Sequence, residues 1–212
     1  MQRPVLCLVT DRRSARRPLE EIVAAAVEGG VDWVQIRERD LEGGALLALC
    51  DRVGAAARAA AARRGGAVRV LINRRVDVAL ACGADGAHLG FDALPVRAAR
   101  ALLAAPASIG VSAHAPDELR AAARDGADYA HLAPIFAPLS KPAERPPLGL
   151  EALRAPADGL PVLAQGGVEP SNAGAILRAG AAGVAVTGAI QDSSDPHAAA
   201  RSLRRALDGA FA

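Results

Sequence analysis

Short runs rich in aliphatic and β-branched residues alternate along this chain with longer, alanine-rich runs whose apolar positions recur every three or four residues. The short runs predict strands over Val5 to Thr10, Trp33 to Arg39, Arg69 to Asn73, Ala87 to Gly90, Ser108 to Ala113, Tyr129 to Pro134, Pro161 to Gly166 and Gly183 to Thr187. The stretches between them predict helices. Strands joined through helices are parallel, because neighbouring parallel strands need a crossover. One piece of punctuation recurs where a helix gives way to a strand: Gly30-Val31-Asp32, Gly83-Ala84-Asp85, Gly126-Ala127-Asp128 and Gly180-Ala181-Ala182. A glycine there can take the left-handed conformation that ends a helix, and a small residue with an Asp turns the chain into the next strand. The repetition points to one βα unit used over and over. Eight units in 212 residues predict an α/β fold, a single (β/α)8 TIM barrel, with residues 1 to 212 as one domain. An open doubly wound sheet is the competitor. It fits less well, because no GxGxxG follows the first strand and polar strand ends recur around the whole chain.

Composition narrows the partners. A formal net charge of +2 gives no reason to expect nucleic acid or a membrane surface. The arginine pairs Arg12-Arg13, Arg16-Arg17, Arg63-Arg64 and Arg204-Arg205 are scattered, as solvated loop and helix positions are. Cys7, Cys50 and Cys82 form no CxxC pair, so they read as buried, reduced thiols rather than zinc ligands or a disulfide framework. No apolar run approaches the ~20 residues that span a bilayer, and the start of the chain lacks the apolar core of a signal peptide. The expected location is the cytoplasm, and a homo-oligomer is compatible with the sequence.

In a barrel of this kind the active site lies at the C-terminal ends of the strands, so those ends can be read in turn. On the second, Gln35, Arg37 and Arg39 alternate onto one face. Two guanidiniums and an amide suit a phosphate or diphosphate; the alternative is an ion-pair network with Glu38 and Asp40. The fifth strand brings Ser112 and His114 to one face, and His114 is the best acid/base candidate. His88 reads as a packing residue, and His131 and His197 carry no motif. The long proline-rich stretch from Ile135 to Leu148 reads either as a lid offering Lys141, beside Ser140, to a phosphate, or as an ordered loop with a solvated lysine. Gly166 and Gly167 after the seventh strand, with Thr187 and Gly188 after the eighth, each lead into a helix N-terminus and form a candidate phosphate cup.

The stretch from Leu71 to Leu94 is informative for what it lacks. Asn73 is followed by Arg74, and Asp92 by Ala93, where a magnesium site would want carboxylates.

Together these motifs resemble the thiamine phosphate synthase / TenI superfamily. The blocks are VQIRER at residues 34 to 39, INRRVDVAL at 72 to 80, GADGAHLG at 83 to 90, GVSAH at 110 to 114, PIFAPLSKP at 134 to 142, QGGVEPSNA at 165 to 173 and GVAVTGAI at 183 to 190. The resemblance implies an enzyme of thiamine biosynthesis whose partner is a small thiazole phosphate. In the synthases, Arg37, Asn73, Ser112 and Lys141 match positions that hold the diphosphate, and Gln35 one near the pyrimidine. Their magnesium acids are not matched: Arg74 and Ala93 stand at those positions, Asp92 is one place off, and Arg39 replaces a lysine. The TenI-like branch fits better, which implies a thiazole tautomerase with no cofactor, His114 as its acid/base residue, and Arg37 or Arg39 steering the substrate carboxylate. Two alternatives stay open: a working synthase, with Mg2+ as its cofactor, and a non-catalytic thiazole phosphate-binding protein.

Overall fold

In a computed structural model the described residues are 3 to 137, 145 to 155 and 157 to 211. The eight strands are β1 (Val5–Val9), β2 (Trp33–Ile36), β3 (Arg69–Asn73), β4 (Gly86–Leu89), β5 (Ser108–Ala113), β6 (Tyr129–Leu132), β7 (Val162–Gln165) and β8 (Gly183–Val186). Each pairs in parallel with the next, and β8 returns to β1 with Val5 opposite Gly183, closing the barrel. The helices are α1 (Leu19–Glu28), α2 (Gly43–Arg63), α3 (Val76–Ala81), α4 (Val96–Leu102), α5 (Pro116–Asp125), α6 (Glu151–Arg154), α7 (Pro170–Arg178), α8 (Gly188–Gln191) and α9 (Pro196–Asp208). The expected (β/α)8 barrel is the fold. The second strand is shorter than the sequence pattern predicts: it ends at Ile36, so Arg37 to Arg39 lie beyond it in the connection to α2.

The barrel has two apolar layers. Outward-facing strand residues such as Leu6, Leu8, Val34, Ile36, Ile72, Ala87 and Ile109 meet the helices. Inside, Cys7, Val9, Leu71, Tyr129, Leu163 and Ala185 form a separate cluster with Trp33 against it. The Trp33 and Tyr129 rings meet edge-on at 4.9 Å. The Tyr129 ring fits only because Gly110 has no side chain, since a Cβ there would come within 2.0 Å of the ring.

The repeated Gly-x-Asp joints build the N-terminal rim. Gly30, Gly83, Gly126 and Gly180 have φ of 117, 59, 85 and 112°. The Asp after each of the first three reaches back to the preceding strand: Asp32 accepts the Leu6 N–H at 2.9 Å, Asp85 that of Val70 at 2.7 Å and Asp128 that of Ile109 at 2.6 Å. Each also has an arginine partner. Arg204 lies 2.9 Å from Asp32 and Arg58 3.6 Å from Asp85, and Arg100 pairs with Asp128. At the fourth joint Ala182 stands in place of Asp, and only its backbone N–H continues the pattern, donating to Val162 O.

Candidate active site

The floor of the C-terminal mouth is built from inward-pointing polar side chains one layer above the apolar plug. Gln35 donates from Nε2 to Asn73 Oδ1 at 3.0 Å. His88 sits between two hydroxyls, with Tyr129 OH 3.1 Å from Nδ1 and Ser112 Oγ 3.0 Å from Nε2. Its ring lies 4.3 Å from that of His131. Burial drives both imidazoles toward the neutral form, because desolvation penalises the charged ring. His131 is pulled down to about 3 by burial, with the Gln165 side chain opposing the shift. His88 is held well below its ordinary value by burial, with His131 and the nearby Arg37 guanidinium adding to the effect. This layer is therefore uncharged. Two of its atoms, Gln35 Oε1 and His131 Nε2, are buried without a hydrogen-bond partner among the described residues.

Ser112, expected at a phosphate, thus has its hydroxyl engaged by His88. The shared strand face expected for Gln35, Arg37 and Arg39 does not exist beyond Gln35, because β2 has ended. Gln35 is buried in the floor, Arg37 is half-buried just above it, and Arg39 is exposed in the following turn. The alternative ion-pair network also forms differently. Arg12 takes Asp40 at 2.5 Å, while Glu38 is buried, accepting from Thr10 Oγ1 at 2.6 Å and from the Arg12 N–H at 2.9 Å.

At the mouth, Arg74 follows Asn73 and adopts φ 65°, a conformation uncommon for a residue with a side chain. Its guanidinium meets Asp92 at 2.8 Å, and Arg39 approaches the same carboxylate at 3.7 Å. Beside them Phe91 stacks on His114, with ring centroids 5.1 Å apart and planes 18° from parallel. His114 has Nδ1 2.6 Å from the Ala133 carbonyl. A carbonyl can only accept, so Nδ1 carries the hydrogen and Nε2 keeps its lone pair in the neutral ring. The His114 backbone N–H is held by Glu118 Oε2 at 2.7 Å, which ties the residue to the start of α5.

The candidate phosphate cup is only partly as expected. Gly166 and Gly167 have φ of 95 and 61°, and their missing side chains make room for the chain after β6: a Cβ on Gly166 would fall 2.8 Å from Pro134 Cβ, and one on Gly167 2.5 Å from Ala137 O. They do not open a helix directly. α7 starts three residues later, and its first turn is sealed by a capping box between Glu169 and Asn172. Thr187 and Gly188 do open a helix, the single-turn α8, with no side-chain cap on its first turn. The loop after β6 is tied at its base, with Leu148 N donating to Pro134 O at 2.8 Å and Gly149 N to Ile135 O at 3.0 Å. Lys141 and Ser140 lie outside the described residues.

Magnesium asks for hard oxygen ligands in octahedral array. The donor set here does not fit. Asn73 Oδ1 receives Gln35, position 93 is alanine, and the carboxylate of Asp92 lies between two guanidiniums. Among the described residues no group of three His, Cys, Asp or Glu side chains could hold a metal ion.

A closed parallel barrel with a neutral polar floor and a cationic mouth at its C-terminal end defines a small-molecule enzyme of the (β/α)8 class. The chain matches the description "Thiamine monophosphate synthase" over residues 6 to 190, and it belongs to that family, an enzyme family of thiamine biosynthesis. Among its relatives, the thiamine-phosphate synthase of Roseiflexus castenholzii is 41% identical, covering 95% of this chain and 87% of its own. A putative thiamine-phosphate synthase of Geobacter sulfurreducens is 44% identical, covering 93% and 92%. The solved thiamine phosphate pyrophosphorylase from Pyrococcus furiosus superposes with a TM-score of 0.81 at 30% identity, over 98% of this chain and 97% of that one. These names speak for the transferase alternative rather than for the isomerase that the missing acids imply. Among the described residues no helix is long and apolar enough to cross a membrane.

Proposed function

We propose that this member of the family acts on thiazole phosphate as a metal-independent tautomerase, converting the first-formed carboxythiazole phosphate tautomer into its aromatic form. The observation that carries the reading is the Arg74–Asp92 pair at 2.8 Å. It puts a guanidinium beside the one carboxylate in the segment after β4 where a metal ligand would be sought. A proton transfer needs no metal, only a base within reach and a fixed substrate. His114 is suited to it, since its Nδ1–H is committed to Ala133 O and Nε2 is left to take a proton from the ring carbon and return it to the exocyclic carbon. The proton that leaves one carbon arrives at the other, so nothing is consumed. In this reading Arg37 or Arg39 steers the substrate carboxylate, and Gly166, Gly167, Thr187 and Gly188 hold the phosphate.

The second reading is the transferase, joining hydroxymethylpyrimidine diphosphate to thiazole phosphate with loss of diphosphate. Its support is the naming of relatives at 41% and 44% identity over nearly the whole chain. A paired assay separates the two. The protein is given the carboxythiazole phosphate tautomer in one arm, and both synthase substrates with magnesium in the other. Isomerisation without thiamine phosphate is the expected result; thiamine phosphate formation without isomerisation would replace the first reading by the second.

A further inference from the structure

Three side chains from three neighbouring strands form a hydrogen-bonded row in the floor. Tyr129 opens β6, His88 lies in β4 and Ser112 in β5, and these strands are consecutive in the barrel. The row runs from Tyr129 OH, 3.1 Å from His88 Nδ1, through the ring to His88 Nε2, 3.0 Å from Ser112 Oγ. Its inner end is sealed, with Tyr129 and His88 each 1% exposed. Its outer end is Ser112, which is only partly buried and lies two residues before His114 on the same face of the chain. Gly110, two residues before Ser112, leaves the space that the Tyr129 ring fills, so one strand sets both ends of the row.

We propose that Tyr129 and His88 are positioning residues that make Ser112 a hydrogen-bond donor to an anionic oxygen of the substrate. The direction follows from the hydrogens along the row. Among the described residues His88 Nδ1 is the one hydrogen-bond partner of the Tyr129 hydroxyl. That hydroxyl keeps its hydrogen, because burial raises its pKa well above the ordinary value. A buried donor without an acceptor is costly, whereas an oxygen lone pair left over is tolerated more easily, so Tyr129 donates and Nδ1 accepts. A neutral imidazole carries a single N–H. Burial keeps His88 neutral, so its hydrogen sits on Nε2 and goes to Ser112 Oγ. The serine then accepts from below and has its own hydrogen left to give to the mouth, where Arg39 and Arg74 make the rim cationic. The reverse direction, with Ser112 donating inward, would strand the tyrosine hydrogen in the floor. That the oxygen belongs to the carboxylate or the phosphate of a thiazole phosphate rests on the function proposed above; the direction of the row does not.

The test begins with the full chain, isotope-labelled in nitrogen and free of substrate. Long-range proton–nitrogen correlation spectra near neutral pH, with the His88 signals assigned through His88→Gln, should show a ring protonated at Nε2 and bare at Nδ1. A His88 ring protonated at Nδ1, or at both nitrogens, overturns the proposal whatever reaction the protein catalyses. The second arm is titration calorimetry with two ligands, the aromatic carboxythiazole phosphate and the thiazole phosphate that lacks the carboxylate. Ser112→Ala should weaken at least one of them by about tenfold or more. A loss for both places the oxygen on the phosphate, and a loss for the first alone places it on the carboxylate. His88→Leu, which has no donor for Ser112, should reproduce part of that loss, about threefold to tenfold. His88→Gln, whose side-chain amide can donate to Ser112, should recover most of it. Unchanged affinity for both ligands in Ser112→Ala overturns the proposal, and so does a folded His88→Gln protein that binds as poorly as His88→Leu. Wild-type protein that binds neither ligand overturns the function proposed above, a result separate from the protonation of the ring.

Discussion

The two ends of the barrel solve opposite problems. At the N-terminal rim one device recurs: Asp32, Asp85 and Asp128 each take a backbone N–H from the preceding strand and each has an arginine partner. At the C-terminal mouth nothing repeats. Arg39 and Arg74 share one exposed carboxylate, His114 stacks under an exposed Phe91, and two buried atoms of the floor have no protein partner among the described residues. Polar groups that satisfy one another contribute to stability, whereas groups held apart are available to a ligand. The comparison therefore predicts that substitutions at the lower rim change stability and those at the mouth change activity.

The largest effect should come from His114→Asn. Asparagine keeps an N–H for Ala133 O but has no base at the Nε2 position, so tautomerisation should fall by about 10²–10⁴-fold with little change in melting temperature. Parallel activity and thermal melts check this, and an unchanged rate removes His114 from the mechanism. The lower rim gives the mirror image. Asp32→Ala leaves the Arg204 guanidinium, only 6% exposed, without its 2.9 Å partner and the Leu6 N–H without an acceptor. Arg204 keeps Asp208 at 2.7 Å and the Pro4 carbonyl at 2.8 Å, so the loss is mainly that of a buried donor left without its acceptor, about 1–3 kcal/mol, which lowers the melting temperature by about 2–12 °C. Activity per folded molecule should be retained.

Between the two rims lies a pH-dependent layer. His88 and His131 are neutral in the fold, with folded values below the ordinary 6.5 and His131 at about 3. Unfolding on the acid side thus takes up a proton at each ring. Stability is fully present above the unfolded value and is lost as pH falls toward the folded values, at about 1.4 kcal/mol per pH unit for each ring. Chemical denaturation between about pH 5 and 6 should show this slope, and His131→Gln should reduce it by about one ring's share. An unchanged slope would mean that His131 is already protonated in the fold.

The lower rim was far more legible in the sequence than the mouth, for a physical reason. Gly-x-Asp is a local signal, because each joint does the same job through residues adjacent in the chain, and strand identity likewise follows from short β-branched runs. The mouth depends on pairs from distant segments. Nothing local says that Ser112 meets His88 or that Arg74 meets Asp92. The shared face expected for Gln35, Arg37 and Arg39 failed because β2 stops at Ile36, where the Arg37 N–H bonds the Thr10 hydroxyl instead of extending the ladder. The helix N-terminus expected after Gly167 is present as α7, but it starts three residues on and Glu169 and Asn172 already cap it. That Glu-x-x-Asn spacing around Pro170 was present in the sequence and could have been read as a cap.

The smallest effect should come from Arg74→Ala, and it probes the mouth most directly. The Arg74 and Asp92 side chains are 33% and 54% exposed. In that setting Coulomb attraction is screened by water, and ordering two side chains offsets much of the gain, so the pair contributes about 0.2–1 kcal/mol. Arg39, already 3.7 Å from Asp92, can take over part of the contact. Alanine does not relieve the φ of 65°, so the backbone term stays as it was. Thermal melts should therefore move by no more than a few degrees. The paired assay should still give no thiamine phosphate, because removing the guanidinium frees one carboxylate without supplying a second at position 93. A gain of magnesium-dependent thiamine phosphate formation in this variant would mean that Arg74 blocks a metal site that is otherwise complete, and the mouth would then belong to a suppressed transferase.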